Sequence, residues 1–320
     1  AAGSMFGSKE LLRQTGKSRI VEFLGKHECY DLLRASGKVV VFDTSIPIQL
    51  AFYALVEHDM EAAPLWDSTQ RHFVGIMTIS DFINVLRRFY SHGGRSDELA
   101  KQSIVEVLRR DEGQGMKQER FVACHATRSL FEASQMLANQ KIKFLPVTQE
   151  DESSVLALIN EVDVLDYLVS TFREQQRLFE DSVASLGIGT YQNLVTVQHS
   201  ARLREVLSVL EQFDIQTVPV VDEHNRVVNI YQHSDFTFLA QAENQEAVAR
   251  NLEAVVSDVL NTRREQEMPD RLHTCLATDT LQTVFEMFAE VRFRTLVCVD
   301  EAFHCVGIIS VHDLLSYFTK

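Results

Sequence analysis

Four aspartates, Asp81, Asp163, Asp235 and Asp313, each stand between an apolar run of strand type and an apolar run with helical spacing. A carboxylate at such a point can accept hydrogen bonds from the orphan N–H groups of a first helical turn, which is the work of an N-cap. Three residues before each aspartate lies a second polar side chain. It is a hydroxyl at Thr78 and Ser310, an amide at Asn160 and Gln232. Chemistry of a catalytic kind is not indicated. The eleven histidines form no His-Glu-x-x-His or other metal spacing, there is no glycine-rich phosphate loop, and neither a Ser-His-Asp order nor a kinase signature is found. A non-enzyme is expected.

The elements that must position these aspartates recur four times. The chain reads APLWD (Ala63 to Asp67) then FVGIMTISDFINVL (Phe73 to Leu86), FLPVTQ (Phe144 to Gln149) then SVLALINEVDVLDYL (Ser154 to Leu168), TVPVVD (Thr217 to Asp222) then RVVNIYQHSDFTFL (Arg226 to Leu239), and TLVCVD (Thr295 to Asp300) then CVGIISVHDLLSYF (Cys305 to Phe318). Pro64 to Asp81 and Pro146 to Asp163 span 17 positions, Pro219 to Asp235 and Val297 to Asp313 span 16, and the aspartates lie 82, 72 and 78 positions apart. Such a period of about 70 to 80 residues marks internal repeats. Ahead of each core runs a stretch with apolar 3.6 spacing: Ile48 to His58, Ser129 to Gln140, Arg202 to Phe213 and Thr280 to Val291. The unit is therefore strand, helix, strand, strand, helix. A sheet of two or three strands with two helices cannot bury enough apolar surface alone, so repeats one and two, and three and four, are expected to pair. The connections are placed near Ser91 to Lys117 and Gln241 to Met268, with Gly93, Gly94 and Asp111 to Gly115 as the loosest joins. Trp66, the one tryptophan, reads as core packing.

Composition bounds the function. The chain has 320 residues, 45% hydrophobic and 24% charged, which suits a globular protein with a substantial core. No apolar run reaches the roughly 20 residues of a membrane span, the N-terminus has no signal pattern, and Ala1 to Ser4 before Met5 read as a cloning remnant. The five scattered cysteines (Cys29, Cys124, Cys275, Cys298, Cys305) suggest neither a disulfide framework nor a zinc cluster, so a reduced cytoplasm or nucleus is expected. A net charge of −14 argues against nucleic acid as a partner. The same charge requires that any small phosphorylated ligand be held by locally gathered Arg, Lys or His.

In this order, the repeats resemble CBS domains, and the wording narrows the resemblance. CYDLL (Cys29 to Leu33), KVVVFDTS (Lys38 to Ser45), APLWDS (Ala63 to Ser68), TISDFINVL (Thr78 to Leu86) and IGTY (Ile188 to Tyr191) look like the gamma subunits of AMP-activated protein kinase, from about Val21 onward. The resemblance implies an α/β (α+β type) fold with an N-terminal extension and helix over 1–33 and CBS repeats over 34–91, 118–173, 190–243 and 268–320. These pair into two Bateman modules forming a flattened disc. It further implies a non-catalytic regulatory subunit that binds AMP, ADP and ATP between repeats and associates with a catalytic alpha and a scaffolding beta subunit.

The resemblance also assigns residues. The four aspartates would receive ribose hydroxyls, a task that suits a carboxylate because two adjacent hydroxyls can donate to its two oxygens. The N-cap role remains open for each, although the fourfold recurrence favours ribose for at least two. Thr190 in IGTY is implied as a contact near adenine or phosphate, with a turn hydroxyl as the alternative. For phosphate this chain has lost positive charge: Glu28 stands where the family often has Arg, Lys143-Phe144 and Arg294-Thr295 where it has a His-Arg pair, and Glu161 to Asp163 where it has basic residues. Lys143 and Arg294 remain as phosphate candidates, with Arg128 and His233 behind them. Asp163 replaces a family Arg and would make the second repeat competent. Two further readings stay open: a structural subunit with decayed sites, and a CBS regulator of a metabolic enzyme or transporter. KVVVFDTS resembles the segment to which a beta-subunit strand adds, or is an ordinary interior strand.

Overall fold

The computed structural model describes residues 2–33, 39–58, 60–91, 96–111, 121–140, 142–151, 153–172, 179–232, 235, 250–265, 271–290 and 294–320. Gly93, Gly94, Lys117, His233 and all of the Asp111 to Gly115 join except Asp111 itself lie outside them.

The sequence periodicity becomes four three-stranded sheets. In repeat one, β1 (Phe42–Asp43) pairs parallel with β2 (Ala62–Asp67), which pairs antiparallel with β3 (His72–Thr78), and helix α2 (Ile48–Glu57) makes the crossover. Helix α3 (Ile79–Ser91) follows. Repeat two repeats the plan with β4 (Cys124–His125), α6 (Leu130–Gln140), β5 (Leu145–Thr148), β6 (Val155–Ile159) and α7 (Glu161–Thr171). Repeat three has β7 (Val197–Gln198), α8 (Leu203–Gln212), β8 (Thr217–Val221) and β9 (Val227–Gln232); the segment where the sequence places its last helix lies outside the described residues apart from Asp235. In every sheet the middle strand carries the longest run of buried residues, as a strand covered on both faces requires.

Two stretches placed as connections are partly helical. Helix α4 (Ser96–Ala100) and helix α5 (Ile104–Asp111) bury Leu99, Ile104 and Val107 against repeat one, where Ile104 and Val105 donate backbone hydrogen bonds to Ile46 and Thr44. Helix α9 (Val256–Glu265) does the same for repeat three through Val256, Val259 and Leu260. Repeat four closes the chain with β10 (Thr274–Cys275), α10 (Leu281–Glu290), β11 (Thr295–Val299), β12 (Cys305–Ser310) and α11 (Val311–Thr319).

The repeats share cores in two ways. Sheet faces join three to four, where Val221, Val227 and Ile230 meet Val297 and Val299, and a bridge links Arg226 with His304. They join one to two through Phe73, which stacks on Phe121 at 4.9 Å and meets Trp66 edge-on at 4.9 Å. Trp66 is thus half-buried at a seam rather than in a repeat core. Helical faces join two to four, where Leu137, Val164 and Leu168 share one cluster with Val284, Phe288, Leu314 and Leu315. They join one to three, where Ile83 of α3 enters the core of Leu203, Val206 and Tyr231. Each repeat therefore touches two neighbours, in the ring order one, two, four, three.

Helix α1 (Ala2–Lys26) docks on this ring through Ile20 and Leu24, and Arg13 makes a double hydrogen bond to Asp181 at 2.6 and 3.0 Å. That pairing holds the Asp181 carboxyl below the usual range. The scattered cysteines turn out to be close neighbours: Cys29 and Cys124 lie 3.5 Å apart between sulfurs, and Cys275 and Cys298 3.3 Å, all four as buried free thiols.

Because Leu314 is wholly buried in the cluster shared by repeats two and four, Leu314→Ala should cost about 2–5 kcal/mol. Urea unfolding is the check, with exposed Leu11 as the control whose replacement by Ala leaves the midpoint unchanged.

Candidate functional site

Asp81, Asp163 and Asp313 sit in the first turns of α3, α7 and α11, and each uses one oxygen in the same local way. Thr78 N–H and its hydroxyl donate to Oδ2 of Asp81 at 2.8 and 2.6 Å, while Asp81 N–H donates back to Thr78 Oγ1 at 3.1 Å. Ser310 does this for Asp313 at 2.7 and 2.8 Å, with the return bond at 3.2 Å. Asn160 reaches the same result with its amide oxygen, which accepts from Val162 and Asp163 N–H at 2.8 and 3.1 Å, while its own N–H donates to Asp163 at 2.9 Å. These are reciprocal capping boxes. The N-cap reading of the aspartates is thereby corrected: Thr78, Asn160 and Ser310 hold the N-cap position, and Asp81, Asp163 and Asp313 serve as the N3 partner, a role that accepts from the N-cap backbone N–H. It engages Oδ2 only: among the described residues Oδ1 of Asp81 and of Asp313 has no protein hydrogen-bond partner.

Asp235 differs. Its Oδ2 accepts from Gln232 N–H at 2.8 Å, but its Oδ1 is held by Arg271 Nη1 at 2.5 Å, and the carboxylate is almost wholly buried.

Thr190, at the head of repeat three, is brought onto the edge of the fourth sheet. Its backbone exchanges two hydrogen bonds with Ile308 of β12, at 2.8 and 2.9 Å, two residues before Ser310. Glycine makes this possible. Gly189 has φ +106, and a Cβ there would lie 2.8 Å from the Ile308 carbonyl oxygen. A Cβ on Gly307 would lie 2.6 Å from the Tyr191 ring. The IGTY segment is thus an extra edge laid on the fourth sheet, on the strand that ends in Ser310.

Lys143 and Arg294 fall in one structural register. The residue three before the proline position of each repeat is Glu61, Lys143, Gln216 and Arg294. Arg294 is ion-paired with Glu61, its own counterpart across the ring. Ser80 donates to Gln216 at 3.3 Å. Lys143 is half-buried with no ion pair among the described residues. Arg128 is exposed and pairs with Glu132 one turn on, at 3.5 Å. His233 lies outside the described residues. One cation was missed in the sequence: His312 pairs through Nδ1 with Oε1 of Glu161 at 2.7 Å, joining the starts of α11 and α7. The hydrogen bond to Glu161 raises the His312 pKa, against burial. Among the described residues no group of three or more His, Cys, Asp or Glu could hold a metal, and no helix is long and apolar enough to cross a membrane.

Known proteins share this architecture. A family model for the CBS domain matches residues 116–170, 188–238 and 256–320. The first repeat, outside those segments, has the same sheet order. The 5'-AMP-activated protein kinase subunit gamma of Dictyostelium discoideum is 34% identical over 313 residues, covering 95% of this chain and 53% of that protein. The gamma-3 subunits of Bos taurus and Homo sapiens are each 31% identical, covering 97% of this chain and 61% and 62% of theirs. The chain thus spans between half and two thirds of the length of the curated relatives it matches. Among solved structures, a Methanocaldococcus jannaschii protein suggested to be an archaeal homologue of the AMPK gamma subunit superposes with a TM-score of 0.71 at 19% identity, over 91% of this chain and 99% of that one. A Pyrococcus horikoshii protein gives 0.53 at 14% over the same shares. At those identities the two structures support the fold.

Two outcomes follow from this geometry. A raised histidine pKa means that the His312–Glu161 contribution is full below the ordinary imidazole value near 6.5 and fades as pH rises through the folded value. Thermal melts from pH 6 to 9 should show that loss, and Glu161→Gln should flatten it. Gly189→Ala should lower the melting temperature by several degrees, through strain at positive φ and the clash with β12.

Proposed function

The chain belongs to the CBS-domain family, and from that premise we propose that it is a non-catalytic gamma-type regulatory subunit of an AMP-activated protein kinase complex. In this reading AMP, ADP and ATP compete for crevices between repeats in a cytoplasmic or nuclear protein. Their differing contacts bias how the ring docks on a catalytic alpha and a scaffolding beta subunit. Similarity to gamma subunits over 95 to 97% of the chain supports it. The single observation that carries it is the half-used carboxylate: Asp81 and Asp313 close their capping boxes as N3 partners through Oδ2 and keep Oδ1 for a ribose hydroxyl. Asp163 has the same cap and is assigned the same role in repeat two.

Phosphate would lie toward the helix starts, where the N–H groups and dipole of α3, α7 and α11 favour an anion despite the net charge of −14. Lys143 and Arg294 supply the formal charge there, and Thr190, paired with the last strand of the fourth sheet, a hydroxyl. Adding the beta-subunit strand at β1 is consistent with its place as an edge of the first sheet.

One observation favours the structural-subunit reading instead. Arg294 and His312 are already balanced by Glu61 and Glu161, so phosphate must compete with protein carboxylates. Titration calorimetry with AMP and ATP decides between the two. On the sensing reading Asp81→Asn and Asp313→Asn each remove one site, Arg294→Gln weakens binding about tenfold, and Glu61→Gln strengthens it several-fold by releasing Arg294. No heat of binding at millimolar nucleotide, with alpha and beta capture intact, would establish the structural reading. Failure to capture either subunit would point to a regulator of some other protein.

A further inference from the structure

Of the four aspartates at this position, Asp235 has its second oxygen taken by a cation of the same chain. Asp81 and Asp313 have no cationic partner among the described residues, and both are only half-buried. Asp235 is 4% exposed, and Arg271 closes on it at 2.5 Å from 36 positions away. Arg271 itself is anchored. Its neighbour Leu272 packs into the seam between the third and fourth sheets, and the next carbonyl, of His273, accepts from Val297 N–H at 3.0 Å. The guanidinium is therefore delivered by the leader of repeat four into the repeat-three side of the crevice.

The other half of the same repeat pair supplies a comparison. Counting back four positions from the paired strand residues Phe42, Cys124, Val197 and Cys275 gives Lys38, Arg120, Asn193 and Arg271. The leader of repeat three runs along the fourth sheet, where Thr190 bridges to Ile308, just as the leader of repeat four packs through Leu272 on the seam that holds Val227 and Ile230 of the third. At this register it offers Asn193, exposed and uncharged, and Oδ1 of Asp313 is left over. Repeat two also has an arginine here, Arg120, but it lies with Lys38 outside the described residues, so the contrast rests on Asn193.

We propose that Arg271 is a built-in occupant of the third crevice, holding Asp235 closed to ribose so that repeat three contributes no nucleotide site. This rests on the assignment of the aspartates as ribose acceptors. A nucleoside would have to displace an arginine from a buried carboxylate, and leaving that carboxylate without its counter-charge is costly. A ligand that offers only neutral hydroxyls cannot replace the charge.

The test is AMP stoichiometry by titration calorimetry on the full chain. Wild type and Asp235→Asn should bind the same number of AMP molecules, and Arg271→Leu should bind one more. Arg271→Leu with Asp235→Asn, which leaves no buried charge behind, should return to the wild-type number. If Asp235→Asn loses a site, or Arg271→Leu folds and gains none, the occlusion is refuted. The first comparison stands even if Arg271→Leu fails to fold. Asp81→Asn and Asp313→Asn in the same series separate the two claims. If neither changes binding, the ribose assignment fails and the occlusion with it; if both lose sites while Arg271→Leu gains none, only the occlusion fails.

Discussion

A three-stranded sheet whose middle strand is apolar on both faces cannot stand in water, and everything else in this molecule answers that constraint. One face of each sheet takes helices. The other must be covered by a neighbouring sheet, as Val221 and Ile230 are by Val297 and Val299. The helices then expose apolar faces of their own, which repeats two and four bury together around Leu314, Leu168 and Val284. Two kinds of face per unit, each satisfied by a different neighbour, generate a closed ring. The starts of the last helices are brought toward one another by the same closure, since contacts such as His312 with Glu161 and Arg294 with Glu61 join equivalent ends of different repeats.

Electrostatics then sets what such a ring can hold. Helix N-termini favour anions, but the chain carries −14 and must supply its cations locally. Several of the cations it places near the helix starts are matched by carboxylates: Arg294 by Glu61, His312 by Glu161, Arg271 by Asp235, Arg128 by Glu132. Exposed pairs of this sort are worth about 0–1 kcal/mol each, so a phosphate can displace Glu61 from Arg294 with little loss. The buried Asp235 is another case, because its partner cannot leave without exposing an uncompensated charge.

Much of the fold was legible because it is periodic. The helices expected over Ile48 to His58 and Arg202 to Phe213 appear as Ile48–Glu57 and Leu203–Gln212. The helices α5 and α9 were not legible, since Val107 and Val259 lie in short, charged stretches whose apolar residues make sense only against a core already assembled. The aspartates were readable as helix starts from their spacing. Which oxygen the cap leaves over was not, for that depends on Thr78 and Ser310 each meeting the same oxygen as their own backbone. Pairings between repeats were hidden altogether: Arg271 and Asp235 are 36 residues apart, Arg294 and Glu61 are 233 apart, and nothing local links them.

The central claim is that the acidic helix starts of repeats one and four receive nucleoside sugars through the carboxylate oxygen their caps leave over. A crystal structure of the chain grown with AMP tests it most directly. The account predicts ribose hydroxyls within hydrogen-bonding distance of Asp81 and Asp313, with phosphate toward Lys143 or Arg294. Empty crevices at millimolar AMP, or nucleotide held with its sugar away from both aspartates, would contradict it.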